Sequence, residues 1–415
     1  MSVARRALVL TASATSAALL AACSPSPAPA PSAPGGAGGP AATSITELDY
    51  YADEQGSAAW QKILDTCATQ TGIKIERQKV PTSQMLPKVL QGASSKTLPN
   101  LLFTDNPTLQ QVAATGALTP LTDYGITTDG YYPGITKAGT YQDKLYGVAP
   151  GVNGLALIYN KDLLQAAGVE PPKTWDELKA AAAKLTKDGK YGLAFSAIPS
   201  EEGTWQFLPF FWSNGAELSQ LDSPQSTQAL RYVTDLVNSG SASKSVVTWN
   251  QNDVADQFVG GNAAMMINGS WNIARLDEQK SLHYGVVPIP VPQAGGKPVV
   301  ALGGEVGTVP VTDGPGQQAA AKVLSCILSE PTMVEWSKAH AYIPSKTAVA
   351  EKFGKDQPAM QAFVDEVGTA RSRTAELGEK YPKVSQALAD ALQAALTGKT
   401  PVDQALKAAQ QASGS

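Results

Sequence analysis

Segments with strand-type and helix-type patterns alternate along the early part of the chain, and this alternation limits the folds open to it. Ser57 can cap a first helix, in which Trp60 and Cys67 fall at helical spacing, and Gly72 ends that helix. Strands that alternate with helices predict a parallel sheet covered by helices on both faces, which is an α/β fold. The predicted strands are residues 45–51, 73–80 and 100–104, and the predicted helices are residues 58–71, 85–92 and 107–115.

The alternation continues through the middle of the chain. Thr174, followed three positions later by Glu177, forms a capping box at the start of a helix. The last quarter of the chain is mainly helical. Further predicted strands are residues 155–159, 191–196, 264–267 and 284–288, and further predicted helices are residues 224–238 and 253–260.

The N-terminus is typical of an exported protein. Arg5 and Arg6 precede residues 7–22, which carry no charge, and this pattern indicates a signal sequence that leaves Sec or twin-arginine export open. Leu20-Ala21-Ala22-Cys23 resembles a bacterial lipobox, which implies cleavage before Cys23 and lipidation of its thiol. A conventional secretory signal is the alternative. We therefore expect a lipoprotein signal peptide over residues 1–22.

Residues 24–42 contain only Pro, Ala, Ser and Gly. Such a segment cannot bury a core, and its prolines favour extended geometry. We expect residues 23–43 to be a tether that holds the folded body away from a membrane.

Composition excludes several kinds of partner and reaction. The 415 residues include 32 Lys and Arg and 36 Asp and Glu, a net charge of −4, which argues against a nucleic-acid partner. His283 and His340 are the only histidines and form no HExxH pair, and no GxSxG motif occurs. Cys67 and Cys326 lie outside any CxxC spacing, so no zinc or redox motif is present. We expect no metal, no cofactor and no enzyme activity; the adjacent Glu201 and Glu202 are interpreted as solvated surface acids.

Several local motifs occur in an order that resembles the extracellular solute-binding proteins of ATP-binding-cassette importers, specifically the maltose-binding-like, carbohydrate-type group. The resemblance covers almost the whole chain after the tether. The motifs are Tyr146-Gly147-Val148-Ala149-Pro150 with residues 157–164, Pro171-Pro172-Lys173-Thr174-Trp175 with residues 176–178, Met266-Ile267-Asn268-Gly269-Ser270-Trp271, and Ile343-Pro344-Ser345.

This resemblance implies a two-lobe periplasmic-binding-protein-like fold with discontinuous lobes, a hinge and a ligand cleft between the lobes. The N-lobe would take residues 44–153 and 303–345, and the C-lobe residues 154–302 and 346–415. Cys67 and Cys326 would then fall in one lobe, where a disulfide is geometrically possible. Two free buried thiols are the alternative.

Eight residues are predicted to contact the ligand. Loops at strand ends are the expected place for such contacts, which favours the polar residues after the first and third strands, although these can equally cap helices. The resemblance implies the others: a polar contact at the first chain crossing, two indole platforms whose alternative is a core position, and residues at the later crossings. The residues are Asp53, Glu54, Asp105, Asn153, Trp205, Trp271, Glu305 and Tyr342.

The resemblance also implies ligand and partners. We expect a monomer, anchored outside the cytoplasmic membrane through Cys23, that binds a small carbohydrate and docks onto a membrane permease. The late helix around Ser385 supplies no tryptophan for a long groove, which favours a mono- or disaccharide. A non-sugar solute and a lipid-tethered glycosidase are the alternatives, and the few cationic groups in the proposed site loops disfavour an anion.

Overall fold

Two mixed sheets organise the protein. The computed structural model describes residues 41–51, 54–374 and 376–414, which belong to one compact unit. The strands are β1 (Ser44–Asp49), β2 (Lys74–Lys79), β3 (Leu101–Asp105), β4 (Thr140–Tyr141), β5 (Lys144–Leu145), β6 (Gly151–Val152), β7 (Leu155–Asn160), β8 (Tyr191–Ala194), β9 (Ala263–Gly269), β10 (Tyr284–Val287), β11 (Glu305–Thr308) and β12 (Ile343–Pro344).

Helices cover the sheets and make up most of the C-terminal quarter. The α-helices are α1 (Glu54–Thr71), α2 (Thr82–Ser95), α3 (Leu109–Ala114), α4 (Pro133–Ala138), α5 (Lys161–Ala167), α6 (Trp175–Leu185), α7 (Glu201–Ser213), α8 (Pro224–Asn238), α9 (Gln251–Val259), α10 (Asn272–Glu278), α11 (Gly314–Ile327), α12 (Glu330–His340), α13 (Thr347–Asp356), α14 (Gln361–Val367), α15 (Tyr381–Leu396) and α16 (Val402–Ser413). Short 3₁₀ turns are Asn106–Thr108, Leu121–Tyr124, Lys244–Val247, Pro358–Met360 and Gly378–Lys380. None of the helices in the described part of the chain is long and apolar enough to span a bilayer.

The first sheet has the order β11-β3-β1-β2, and the second has the order β10-β7-β9-β8. The prediction of parallel sheets is correct for β1, β2 and β3 and for the pair β8 and β9, but β11 is antiparallel to β3, and β7 is antiparallel to both its neighbours. The physical reason is that β11 enters the first sheet directly from the second, without the crossover helix that a parallel neighbour needs. We call the part built on the first sheet the first lobe, and the part built on the second sheet the second lobe.

The segments that connect the sheets lie side by side. The backbone N–H of Gly303 donates to the carbonyl of Asn153 at 2.9 Å, and β12 pairs with β6 through Ile343 and Val152. One apolar cluster includes these segments together with side chains of both sheets, among them Leu102 and Ile158. The connections therefore share a continuous core behind the space between the lobes.

A disulfide joins two helices of the first lobe. Cys67 in α1 and Cys326 in α11 are 259 positions apart in sequence and have Cα atoms 5.7 Å apart. This is the pair that the sequence left open, and the bond ties the beginning of the first lobe to the segment that returns after the second lobe.

Side-chain caps mark the start of several helices, among them α5, α6, α8 and α9. Thr174 and Glu177 form the predicted capping box at the start of α6. The prediction for Ser57 is wrong, because α1 begins earlier, at Glu54, and Ser57 lies in its first turn. The Ser57 hydroxyl instead accepts hydrogen bonds from Arg77 at 3.3 Å and from Lys79 at 3.0 Å.

Candidate ligand-binding site

A buried carboxylate lies where three chain segments of the first lobe meet. Glu305 begins β11 directly opposite Asp105, the last residue of β3, so the register brings both acids to one edge of the sheet. The Glu305 side chain accepts hydrogen bonds from the hydroxyls of Tyr50 and Tyr51, each at 2.6 Å, and of Tyr342 at 3.2 Å. Burial raises the pKa of Glu305 above its ordinary value, and the tyrosine donors oppose that rise.

Asp105 is held by an arginine from the far end of the chain. Arg373, in the segment before α15, donates to Asp105 Oδ1 at 2.7 Å and to Oδ2 at 3.2 Å. The same guanidinium donates to Glu201 Oε1 at 2.6 Å, and its carbon lies 5.6 Å from the centre of the Trp205 ring. Glu201 also accepts from the hydroxyls of Tyr381 and Ser385. Asp105 belongs to the first lobe and Glu201 begins α7 of the second, so this cluster spans both.

The two predicted indoles stack on each other. Trp205 and Trp271 have ring centroids 5.6 Å apart and planes inclined by 21°. Trp205 is 7% exposed and its indole N–H donates to the carbonyl of Ala301 at 3.3 Å, whereas Trp271 is half-buried. Trp205 therefore lies in the wall of the site, and Trp271 keeps part of its surface open.

Asn153 contributes an oxygen without a partner. The side chain is 5% exposed, and its Oδ1 accepts no hydrogen bond within the described part of the chain. A Cβ on Gly303 would lie 1.9 Å from this oxygen and 2.7 Å from Trp205 Cζ2, so the crossing requires glycine there. Gly304, with φ of +104°, also has a backbone conformation that favours glycine.

These contacts bring most of the predicted residues together. Asp105, Asn153, Trp205, Trp271, Glu305 and Tyr342 all belong to the groups above. A side-chain hydrogen bond from Asn153 to Tyr342 joins the crossing to the tyrosine cluster and lowers the pKa of Tyr342, which burial raises. Asp53 lies outside the described residues. Glu54 is the first residue of α1, and its side chain is also outside the description.

Several residues of the site escaped the sequence analysis. Tyr50 and Tyr51 follow β1 as Asp105 ends β3, and this position at a strand end could have indicated them. The interpretation of Glu201 and Glu202 as solvated acids is wrong, because Glu201 binds Arg373 and Glu202 accepts from the backbone N–H of Gln251. Burial raises the pKa of both carboxyls. The sequence predicted few cationic groups in the site loops, but Arg373 brings one to Asp105 and Glu201 from a segment that no local motif indicates.

The comparisons with known proteins identify the family. The model of the family described as bacterial extracellular solute-binding protein matches residues 62–362. The chain belongs to this family. Its members bind solutes outside the cytoplasm, and this solute-binding protein has the corresponding two-lobe fold.

Two solved structures and one relative of known sequence are similar to this chain. The cyclic alpha-maltosyl-1,6-maltose binding protein from Arthrobacter globiformis is 30% identical, with a TM-score of 0.76 over 90% of this chain and 98% of that one. Maltose-bound MalE3 of T. maritima is 26% identical, with a TM-score of 0.79 over 89% of this chain and 99% of that one. The maltotriose-binding protein of Pyrococcus abyssi (strain GE5 / Orsay) is 28% identical over 46% of this chain and 42% of its own length. These similar proteins are binding proteins for sugars.

Proposed function

We propose that this solute-binding protein is the carbohydrate receptor of an ATP-binding-cassette importer, and that it delivers its ligand to a membrane permease. The ligand would lie between the two lobes, and the lobes would close around it by a hinge motion at the crossings. The observation that carries the proposal is the stacked pair Trp205 and Trp271 beside Asn153 and the Asp105 carboxylate.

The chemistry of these groups suits a sugar. The CH faces of a pyranose ring pack well on an indole, and the indole of Trp271 is only half-buried. Asn153 Oδ1 is a buried acceptor that a sugar hydroxyl can satisfy, and leaving it without a donor is costly. The carboxylates of Asp105 and Glu201 share one arginine, so an anionic sugar would meet an excess of negative charge.

We propose a mono- or disaccharide as the ligand. The contacts of Arg373 with Asp105 and Glu201 close the space between the lobes at that point, and Ser385 of α15 is buried against Glu201 and provides no open platform. The similar Arthrobacter protein is named for a larger cyclic sugar, so larger oligosaccharides belong among the test compounds.

The proposal includes the lobe boundaries and the location. The N-lobe would take residues 44–153 and 303–345 and the C-lobe residues 154–302 and 346–415, which agrees with the strands that each sheet contains. Residues 1–22 would be the signal peptide, and Cys23 would carry the lipid that anchors a monomer to the outer face of the cytoplasmic membrane. Both segments lie outside the described residues.

A thermal-shift screen tests the proposal. The chain from residue 41 onward is heated with sugars of one to six rings, uronic acids, polyols, peptides, polyamines and organic anions. Ligand that binds the native state raises the unfolding midpoint by mass action. We expect a shift with a neutral mono- or disaccharide, followed by its unaltered recovery after incubation.

Other outcomes of the screen contradict stated parts of the proposal. A shift only with longer oligosaccharides overturns the ligand size, and a shift only with non-sugars overturns the substrate class. Recovery of a cleaved sugar would show that the protein acts as a glycosidase rather than as a receptor.

A further inference from the structure

One guanidinium makes contact with acids of both lobes. Arg373 binds Asp105 at the end of β3 through two hydrogen bonds and Glu201 at the start of α7 through a third. These partners are 268 and 172 positions away in sequence; Asp105 ends a strand of the first sheet, and Glu201 begins a helix of the second lobe. Arg373 therefore connects an acid of the first lobe with an acid of the second lobe.

Burial makes this contact energetically significant. The Arg373 side chain is 3% exposed, whereas the side chains of Asp105 and Glu201 are 26% and 34% exposed. A surface ion pair contributes little, but a buried charge that loses its partner is strongly unfavourable. The forked geometry of the guanidinium allows it to bind two carboxylates at once, which a lysine ammonium cannot reproduce in the same plane.

The contacts of Glu201 indicate which bond breaks when the lobes separate. Glu201 also accepts hydrogen bonds from Tyr381 and Ser385, both on α15, and α15 packs against α7 in the second lobe. Arg373 lies in the segment that leads into α15, so Arg373 and Glu201 are connected to the same lobe. The bond that an opening motion has to break is the one between Arg373 and Asp105.

A second arginine provides an internal comparison. Arg371 also binds two carboxylates, Glu217 and Glu376, and its guanidinium lies 4.9 Å from the centre of the Trp212 ring. Its acidic partners and Trp212 are away from the first sheet. The two arginines thus share an arrangement and differ in whether a partner lies on the other lobe.

We propose that Arg373 is a positioning residue that ties the two lobes together across the ligand cleft before any sugar binds. The tie holds the Asp105 carboxylate in a fixed orientation beside Trp205, and it favours a narrow cleft in the ligand-free protein. The inference rests on the proposed function only in taking this cleft as the ligand site.

The distance between the lobes in the ligand-free protein tests the tie. Spin labels are attached through Lys88→Cys on α2 and Lys244→Cys near α15, both at exposed positions, in the chain from residue 41 onward. Cys67 and Cys326 are bonded and do not react with the label. Double electron–electron resonance then gives the distribution of distances between the lobes.

We expect Arg373→Met to reduce the short-distance population about tenfold, because one buried charge contact between the lobes is lost. Arg373→Lys keeps the charge but not the fork, so it should restore only part of that population. Arg371→Met is the matched control and should leave the distribution unchanged.

A second variant tests the same contact in case Arg373→Met does not fold. Asp105→Asn removes the same contact from the other lobe and should widen the distribution equally, and the double variant should widen it no further. Wild-type distributions in both Asp105→Asn and Arg373→Lys, with native circular dichroism, would overturn the tie. Because no sugar is present, these results are independent of the ligand screen.

Discussion

Trp271 is half-buried, and the proposed function has a sugar ring pack on the part of its indole that stays accessible. Its plane is close to that of Trp205 behind it, and Gly269 leaves the space that the Trp271 ring occupies, since a Cβ there would lie 1.8 Å from the ring. Trp205 supports the platform, and Trp271 provides the surface.

Trp271→Ala should weaken the binding of the sugar identified in the screen by about 2 kcal/mol, comparable to the loss of a binding hot spot. Titration calorimetry measures the change. Trp249→Ala is the control, because Trp249 is also partly buried but faces Tyr191 at the start of β8, with ring centroids 6.4 Å apart. An affinity of Trp271→Ala equal to that of the parent protein would remove this residue from the site.

Glu366 in α14 is a buried acid outside the site. It is 4% exposed, its Oε1 accepts from the backbone N–H of Ile289 at 3.3 Å, and its Oε2 has no partner in the described part of the chain. Burial raises the pKa of Glu366 from its ordinary value of 4.5 to about 8. The carboxyl is therefore protonated in the folded protein at neutral pH.

The stability of the folded state should fall as the pH rises from 4.5 toward about 8, because the unfolded chain releases this proton first. Below that window both states hold the proton, and above it the loss is constant. The variant Glu366→Gln has no titrating proton at this position. Its free energy of unfolding should therefore rise relative to that of the parent protein by roughly 1.4 kcal/mol per pH unit within the window.

Urea unfolding at the two ends of the window, about pH 5 and about pH 8, measures this difference. Asp123→Asn is the control, since Asp123 is an exposed acid of the first lobe and is not among the groups that raise the pKa of Glu366. A free-energy difference between parent and Glu366→Gln that does not change with pH would contradict the assignment.

Helices and strands with strong local signals were predictable, and those whose position depends on distant partners were not. The bounds of α8 agree with the prediction, because Ser223 caps that helix and Pro224 occupies its first turn. The strand β11 was not predicted, and its antiparallel direction depends on the path of the chain between the lobes rather than on residues 305–308.

The disulfide between α1 and α11 is the covalent link between distant elements of the first lobe. Removing it by Cys67→Ala with Cys326→Ala should lower the free energy of unfolding by about 2–4 kcal/mol, because the unfolded chain regains the freedom of a long loop. Urea unfolding measures the loss.

Sugar affinity should change less than about twofold in this double variant, since Cys67 and Cys326 lie on α1 and α11, and the carboxylates of Glu305 and Asp105 are held by hydrogen bonds of their own from Tyr50, Tyr51 and Arg373. Intact mass before and after alkylation, with and without reduction, tests the bond itself. Two alkylated thiols in the unreduced native protein would contradict it.

The two-lobe architecture followed from ordered motifs, but the composition of the site followed only in part. Residues at strand ends and chain crossings, such as Asp105, Asn153 and Glu305, were predictable because topology brings those positions together. Arg373 was not predictable, since its role depends on two acids that lie far away in sequence. Side-chain pairing between lobes carries no local pattern.

The late arrival of β11 has a consequence for biosynthesis. The second sheet takes all its strands from one continuous stretch, from β7 to β10, and can complete itself once that stretch has emerged. Three strands of the first sheet are synthesised early. Its fourth strand, β11, is synthesised only after all strands of the second sheet. Until then the free edge of β3 is open to wrong pairing. The first sheet, although it begins earlier in the chain, is therefore completed after the second sheet.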